Sequence, residues 1–176
     1  MECPNRDPTE SAFEDNKQYE YYDVKAADPH AFSGAAIAAR PFKADDLADA
    51  TGNTASKFCL RTMLHWDDKE CRLTAVLLTH LTLITLPRWV NVTPEHAAWD
   101  KTSAAQLAAH EEGHYLIETA VGRELYAALL AVTPEPTCDA LNPKVDQIVA
   151  QYAAEAHTKG AEYDKATDHG TKQPGF

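Results

Sequence analysis

Between Ala108 and Ala120 the chain reads AAHEEGHYLIETA, with two histidines four residues apart and a glutamate directly after the first. Apolar residues Leu107, Ile117, Val121, Leu125 and Leu129 recur at helical spacing from Ala104 to Val132, so the segment is expected to be helical. On such a helix His110 and His114 stand one turn apart and project from one face. That pair can hold zinc at about 2.0–2.1 Å without strain. Glu111 lies about 100° round the helix from His110. It can therefore sit beside the ion without ligating it, where a general base for water belongs. Gly113 keeps one neighbouring position clear of side chain. Both histidines fall on or beside the apolar stripe, where ring nitrogens without a metal would need other partners.

A tetrahedral site open to water needs a third protein ligand. The TPEPT stretch, Thr133 to Thr137, is expected to break the first long helix. Asn142-Pro143 then caps a second, with Val145, Ile148, Val149, Tyr152, Ala156 and Tyr163 as its buried stripe, ending near DHGTKQPG. From His114 to Thr133 is nearly as far as from Pro143 to Asp164. Antiparallel packing therefore returns Tyr163 and Asp164 to the level of the histidines. Asp164 is the preferred third ligand on this register. His169, beside Gly170 at the C-terminal turn, is the rival. Whichever does not ligate is left to orient a histidine or to stabilise an oxyanion. Tyr163 reads either as core or as a phenol donating to the transition state. His157 falls too far along the helix, and His30, His65, His80 and His96 have no partner at ligand spacing.

Upstream, Met1 to Lys17 is polar, with prolines at 4 and 8, and is expected to be a flexible arm pinned by Cys3; residues 18–176 then form one domain. YEYYDVKA, Tyr19 to Ala26, reads as a strand, and Asp28-Pro29 as the cap of a short helix reaching Ala39 before Pro41. SKFCLRTMLHW and CRLTAVLLTHLTLITL flank the polar turn DDKE as a hairpin whose second arm ends at Leu86-Pro87. That arm is expected to be an edge able to bind a substrate backbone by β-addition. Thr93-Pro94 starts the first long helix, and Ser103 with Gln106 is a capping box should the helix restart there. Strand, helix, hairpin and two long helices make an α+β layout.

A net charge of −11 argues against nucleic acid as a partner and disfavours anionic membrane surfaces. No apolar run is long enough to span a bilayer; Leu73 to Leu86 is broken by threonines and His80 and is β-branched. Cys3, Cys59, Cys71 and Cys138 contain no Cys-x-x-Cys pair. Four widely spaced cysteines fit two disulfides and an oxidising compartment, against the alternative of free thiols in the cytoplasm. The N-terminus lacks a charged and then apolar leader, so the expectation is either an intracellular protein or one whose signal peptide is absent from this chain.

YYDV near the N-terminus, LTLITLPRW, Trp99, HEEGH, the CDAL at Cys138 and YDKATDHG together run from about Tyr21 to Gln173. In these pieces the chain resembles the bacterial predicted secreted zinc-dependent proteases, long catalogued as a domain of unknown function; the DLADATGNT region matches only loosely. The resemblance implies a zincin-like fold, a secreted or periplasmic location, metal binding by His110 and His114, and Glu111 as base. It makes Tyr163, Asp164, Thr167 and His169 functional as a group. It also implies a Cys71–Cys138 bridge, leaving Cys3 with Cys59.

The expectation is thus a zinc peptidase acting on a peptide or protein, with Glu111, Tyr163 and His169 in catalytic roles and oligomeric state left open. Two alternatives stand beside it: a zinc-stabilised binding module of the cell envelope, closed by four protein ligands, and a metal-dependent amidase.

Overall fold

The computed structural model describes residues 1–42 and 50–172. Part of the DLADATGNT stretch and everything after Lys172 lie outside these. The elements are β1 (Ala12–Val24), α1 (Pro29–Ala39), β2 (Asn53–Trp66), β3 (Cys71–Trp89), α2 (Ala97–Leu130) and α3 (Cys138–Thr167). A three-stranded sheet in the order β1-β3-β2 and three helices make an α+β chain.

β2 and β3 form the expected hairpin. At its turn Asp67 N donates to Glu70 O at 3.0 Å, and the Asp67 carboxylate accepts from the Lys69 and Glu70 amides. On the other side of β3, Ser11 pairs with Val76, Asp15 with His80 and Asp23 with Arg88, always 65 residues apart. A constant offset means that β1 and β3 run parallel. β3 is therefore the central strand, which corrects the expectation of a substrate-binding edge there: His80 and Thr82 are fully buried. The edges are β1 and β2.

β3 also continues past Pro87 to Trp89. The hairpin register places the start of β2 opposite Ile84, so Pro87 stands where β2 no longer runs alongside. Val90 N still donates to Val24 O. A missing donor on an open side costs no ladder bond. β1 likewise opens at Ala12 rather than Tyr19, inside the stretch expected to be an arm. Its charged residues concealed it, but an edge strand keeps one side in solvent and pairs its polar groups across to β3.

The chain divides into two compact units. The first comprises Met1–Asn16, Ser56–Thr82 and Leu116–Glu162. Its core is Val76, Leu78, Leu125, Leu129, Leu141 and Val145, with Phe13, Phe58, Ile148, Val149 and Tyr152 packed against it. Both disulfides lie here, Cys3–Cys59 and Cys71–Cys138, pairing all four cysteines. The second ties the start of β3 to the start of α3, next to a short bridge between Cys71 and Glu135.

The second unit comprises Lys17–Ala55, Leu83–Tyr115 and Tyr163–Phe176. α1 starts as its sequence requires: Asp28 caps by accepting from Ala31 N at 2.9 Å, with Pro29 in the first turn. It buries Ala36 against Tyr22 and Val24, with Phe32 and Phe42 alongside. Trp89 Nε1 and Asn91 Nδ2 both donate to Ala26 O, and Ala26 N donates back to Asn91 Oδ1, which fastens the chain after β3 to the chain after β1.

The two long helices differ from expectation at their starts. A turn over Thr93–His96 precedes α2, which runs unbroken through Ser103; the Ala-rich stretch favours continuation, so no capping box forms. α3 starts at Cys138, not at Asn142. Thr137 caps it, its Oγ1 accepting from Ala140 N and its carbonyl from Leu141 N. Pro143 is held inside the helix, close to an end already fixed by the disulfide and by the fully buried Leu141.

Candidate metal centre

All residues of the predicted site fall in the second unit. His110 and Glu111 are buried, and His114 is half-buried on the next turn of α2. Asp164 comes from the last turn of α3. Its Oδ1 lies 3.2 Å from His110 Nε2 and 2.9 Å from His114 Nε2. These three donor atoms lie within 4.8 Å of one another, and they form the one such group among the described residues. Donors on a tetrahedral zinc with bonds near 2.05 Å stand about 3.3 Å apart, so the two separations from Asp164 suit such an ion.

Proton bookkeeping gives a second test of fit. Thr167 Oγ1 donates to Tyr163 O at 2.8 Å, leaving its lone pair for His110 Nδ1 at 3.3 Å. With its own proton committed there, Thr167 can accept from a proton on His110 Nδ1, the neutral tautomer that leaves Nε2 free to ligate. Burial, reinforced by the neighbouring charge of His114 and opposed by Asp164, keeps the His110 pKa below its ordinary 6.5 and so favours the neutral ring. In that tautomer Nε2 faces the Asp164 carboxylate oxygen at 3.2 Å, an arrangement that suits a cation held between them. Orientation of a ligating imidazole through its other nitrogen is how proteins fix the ligating tautomer.

Glu111 is outside the converging group. Burial pushes its carboxyl pKa up, against the hydrogen bond from Thr54. Thr54 Oγ1 lies 2.7 Å from Glu111 Oε2 and 3.0 Å from the Glu111 carbonyl, holding the side chain from the start of β2. A Cβ at Gly52 would stand 2.6 Å from Glu111 Oε1 and 3.0 Å from Leu107 Cδ1, so a larger residue there would have to push the Glu111 carboxylate aside. Neither Thr54 nor Gly52 carried a signal in the sequence, since both act through a chain crossing that no local pattern encodes.

The second glutamate of HEEGH has a different task. Glu112 accepts from Lys17 and, at 2.7 Å, from Tyr19 on β1. Against the cost of burial, these two partners hold its carboxyl below the ordinary range. Lys17 also lies 4.1 Å from the centre of the Tyr115 ring. HEEGH therefore carries one buried acid whose burial favours its protonated form and one that pins the helix to a strand.

His169 stands apart from the donors. Its Nδ1 is 4.0 Å from Asp164 Oδ1 and its side chain is 69% exposed. It follows Asp168 on a turn where both residues have positive φ, at 52° and 50°. His30, His65 and His157 are exposed on the surface. His96 stacks on Trp89.

Fold and site together define an α+β chain that presents two imidazoles and one carboxylate from two helices, with a buried acid alongside. The chain belongs to the family described as "Bacterial protein of unknown function (DUF922)", which matches residues 19–170. No curated protein and no solved structure matches it. Two disulfides fit an oxidising compartment, and among the described residues no helix is long and apolar enough to cross a membrane.

Proposed function

We propose that the protein is a secreted or periplasmic zinc-dependent peptidase of zincin-like architecture. The observation that carries the reading is the convergence of His110 Nε2, His114 Nε2 and Asp164 Oδ1 beside the buried Glu111. Three protein donors rather than four suit a site that leaves one position to solvent. When bound, zinc supplies Lewis acidity, polarising a carbonyl and acidifying water.

The chain's own residues do the rest. Glu111 is a carboxylate whose burial favours its protonated form, so it accepts a proton from water readily and can return it to the leaving amine. Thr54 fixes the oxygen that does not take that proton, which keeps the other aimed. Thr167 keeps the His110 tautomer that can ligate. His114 and Asp164 are 16% and 23% exposed, which leaves the donors approachable from solvent. A peptide amide is the substrate class that needs all three contributions, because its leaving amine must be protonated.

Glu111→Gln tests this. A peptidase loses turnover on a diverse peptide library while retaining stoichiometric zinc. Unchanged turnover, or no turnover by the zinc-loaded wild type on any peptide, contradicts it.

A further inference from the structure

Tyr163 takes no part in the proton transfers above, yet it touches both histidines. Its ring stacks on His110 with centroids 5.1 Å apart and planes 13° from parallel. It meets His114 at 5.0 Å and 87°, edge to face. The two imidazoles are themselves 4.9 Å apart and nearly perpendicular. Three planar rings in mutual contact block one another's rotation, and both arrangements are favourable for aromatic pairs.

The seat of this ring is the gap at Gly113. A Cβ added there would stand 2.1 Å from Tyr163 Oη, 2.3 Å from Cζ and 2.8 Å from Cε1. Such a ring is rigid, so displacing its phenol end displaces the whole plane from His110. The glycine of HEEGH is thus the space into which a residue from α3 fits.

We propose that Tyr163 is a positioning residue: seated over Gly113, its ring fixes the planes of His110 and His114 so that both Nε2 atoms point at Asp164 before a metal arrives. This rests on the metal-site reading. It assigns the role to the ring rather than to the phenol hydroxyl. Outer groups that orient ligating histidines by hydrogen bonds typically contribute about 10–100-fold in metal affinity, and a ring that holds both imidazoles is expected to act on the same scale.

The test is zinc affinity by chelator competition, together with the visible absorption of the cobalt(II)-loaded protein, on wild type and four variants. Wild type binds one equivalent of zinc. Tyr163→Leu loses about 10–100-fold in affinity and changes the cobalt spectrum, whereas Tyr163→Phe stays within about threefold. Gly113→Ala loses a similar amount even though alanine favours the helix, and circular dichroism of the metal-free protein shows the fold intact. Gly113→Ala combined with Tyr163→Leu loses no more than Tyr163→Leu alone, because the alanine then has nothing to displace. Equal loss in Tyr163→Phe and Tyr163→Leu, full affinity in Tyr163→Leu, or additive losses in the double variant overturns the proposal while the metal site stands. A wild type that binds no zinc overturns the metal site itself.

Discussion

In one compact unit His80 lies between Asp15 and Glu118; in the other, His110 and His114 face Asp164. Residue types and burial are alike, but the geometry is not. His80 Nδ1 is 3.1 Å from Asp15 Oδ1, while its Nε2 is 3.0 Å from Thr82 Oγ1 and 3.7 Å from Glu118 Oε2. Thr119 adds its hydroxyl 3.3 Å from Asp15 Oδ2. The two carboxylates sit on opposite nitrogens of a single ring, which point away from each other, so their lone pairs cannot meet at one ion. Two rings at i and i+4 on a helix bring two nitrogens to one point, and a carboxylate from a second helix closes on it. Convergence, not composition, separates a polar brace from a candidate metal site.

That contrast can be broken most sharply at the acid. Glu111→Gln is expected to lower peptide turnover by about 10²–10⁴-fold with zinc retained, as loss of a general acid–base does. Zinc itself comes next. At a thousandfold excess over its Kd it should stabilise wild type by about 4 kcal/mol in thermal unfolding, and His114→Ala should abolish this gain. His80→Leu should keep the gain in full, because His80 belongs to the brace; a lost zinc response there would merge the two clusters into one functional system.

Smaller effects sharpen the same line. In metal-free protein His80→Leu should cost about 1–3 kcal/mol for each buried oxygen left without its partner, read from denaturant melts. For His110 the folded pKa lies below its ordinary 6.5, through burial first and His114 second. The unfolded chain therefore takes up this proton first, and stability present above pH 6.5 is lost as pH falls below it. The slope from one such proton is at most about 1.4 kcal/mol per pH unit, and His110→Gln should remove it. The smallest expected change is Glu112→Gln. It loosens a partly exposed pair with Lys17, should cost no more than about 1 kcal/mol, and should leave turnover within about threefold. A large loss of turnover there would assign catalysis to the wrong glutamate of HEEGH.

Much of this was legible in the chain because it is local. The i, i+4 spacing of His110 and His114, the Asp28-Pro29 start of α1 and the break at TPEPT each follow from neighbours in sequence. Asp164 was reachable because two helices of similar length joined by a short break must return in register. Pairing was not legible. YEYYDVKA announced a strand, but nothing in it said that the strand begins at Ala12 or lies parallel to β3, so β3 read as an edge. The start of α3 misled for the opposite reason: Pro143 is a strong local signal overridden by a disulfide and a buried leucine. His80 carries no local signal of its role, because its partners, Asp15, Glu118 and Thr119, come from β1 and α2, far away in sequence.

The most direct measurement is anomalous scattering at the zinc edge from crystals grown with one equivalent of zinc. A single strong peak is expected about 2.0–2.2 Å from His110 Nε2, His114 Nε2 and Asp164 Oδ1, with the remaining position filled by solvent. A peak elsewhere, no peak, or an ion closed off by His169 as a fourth protein ligand would contradict it.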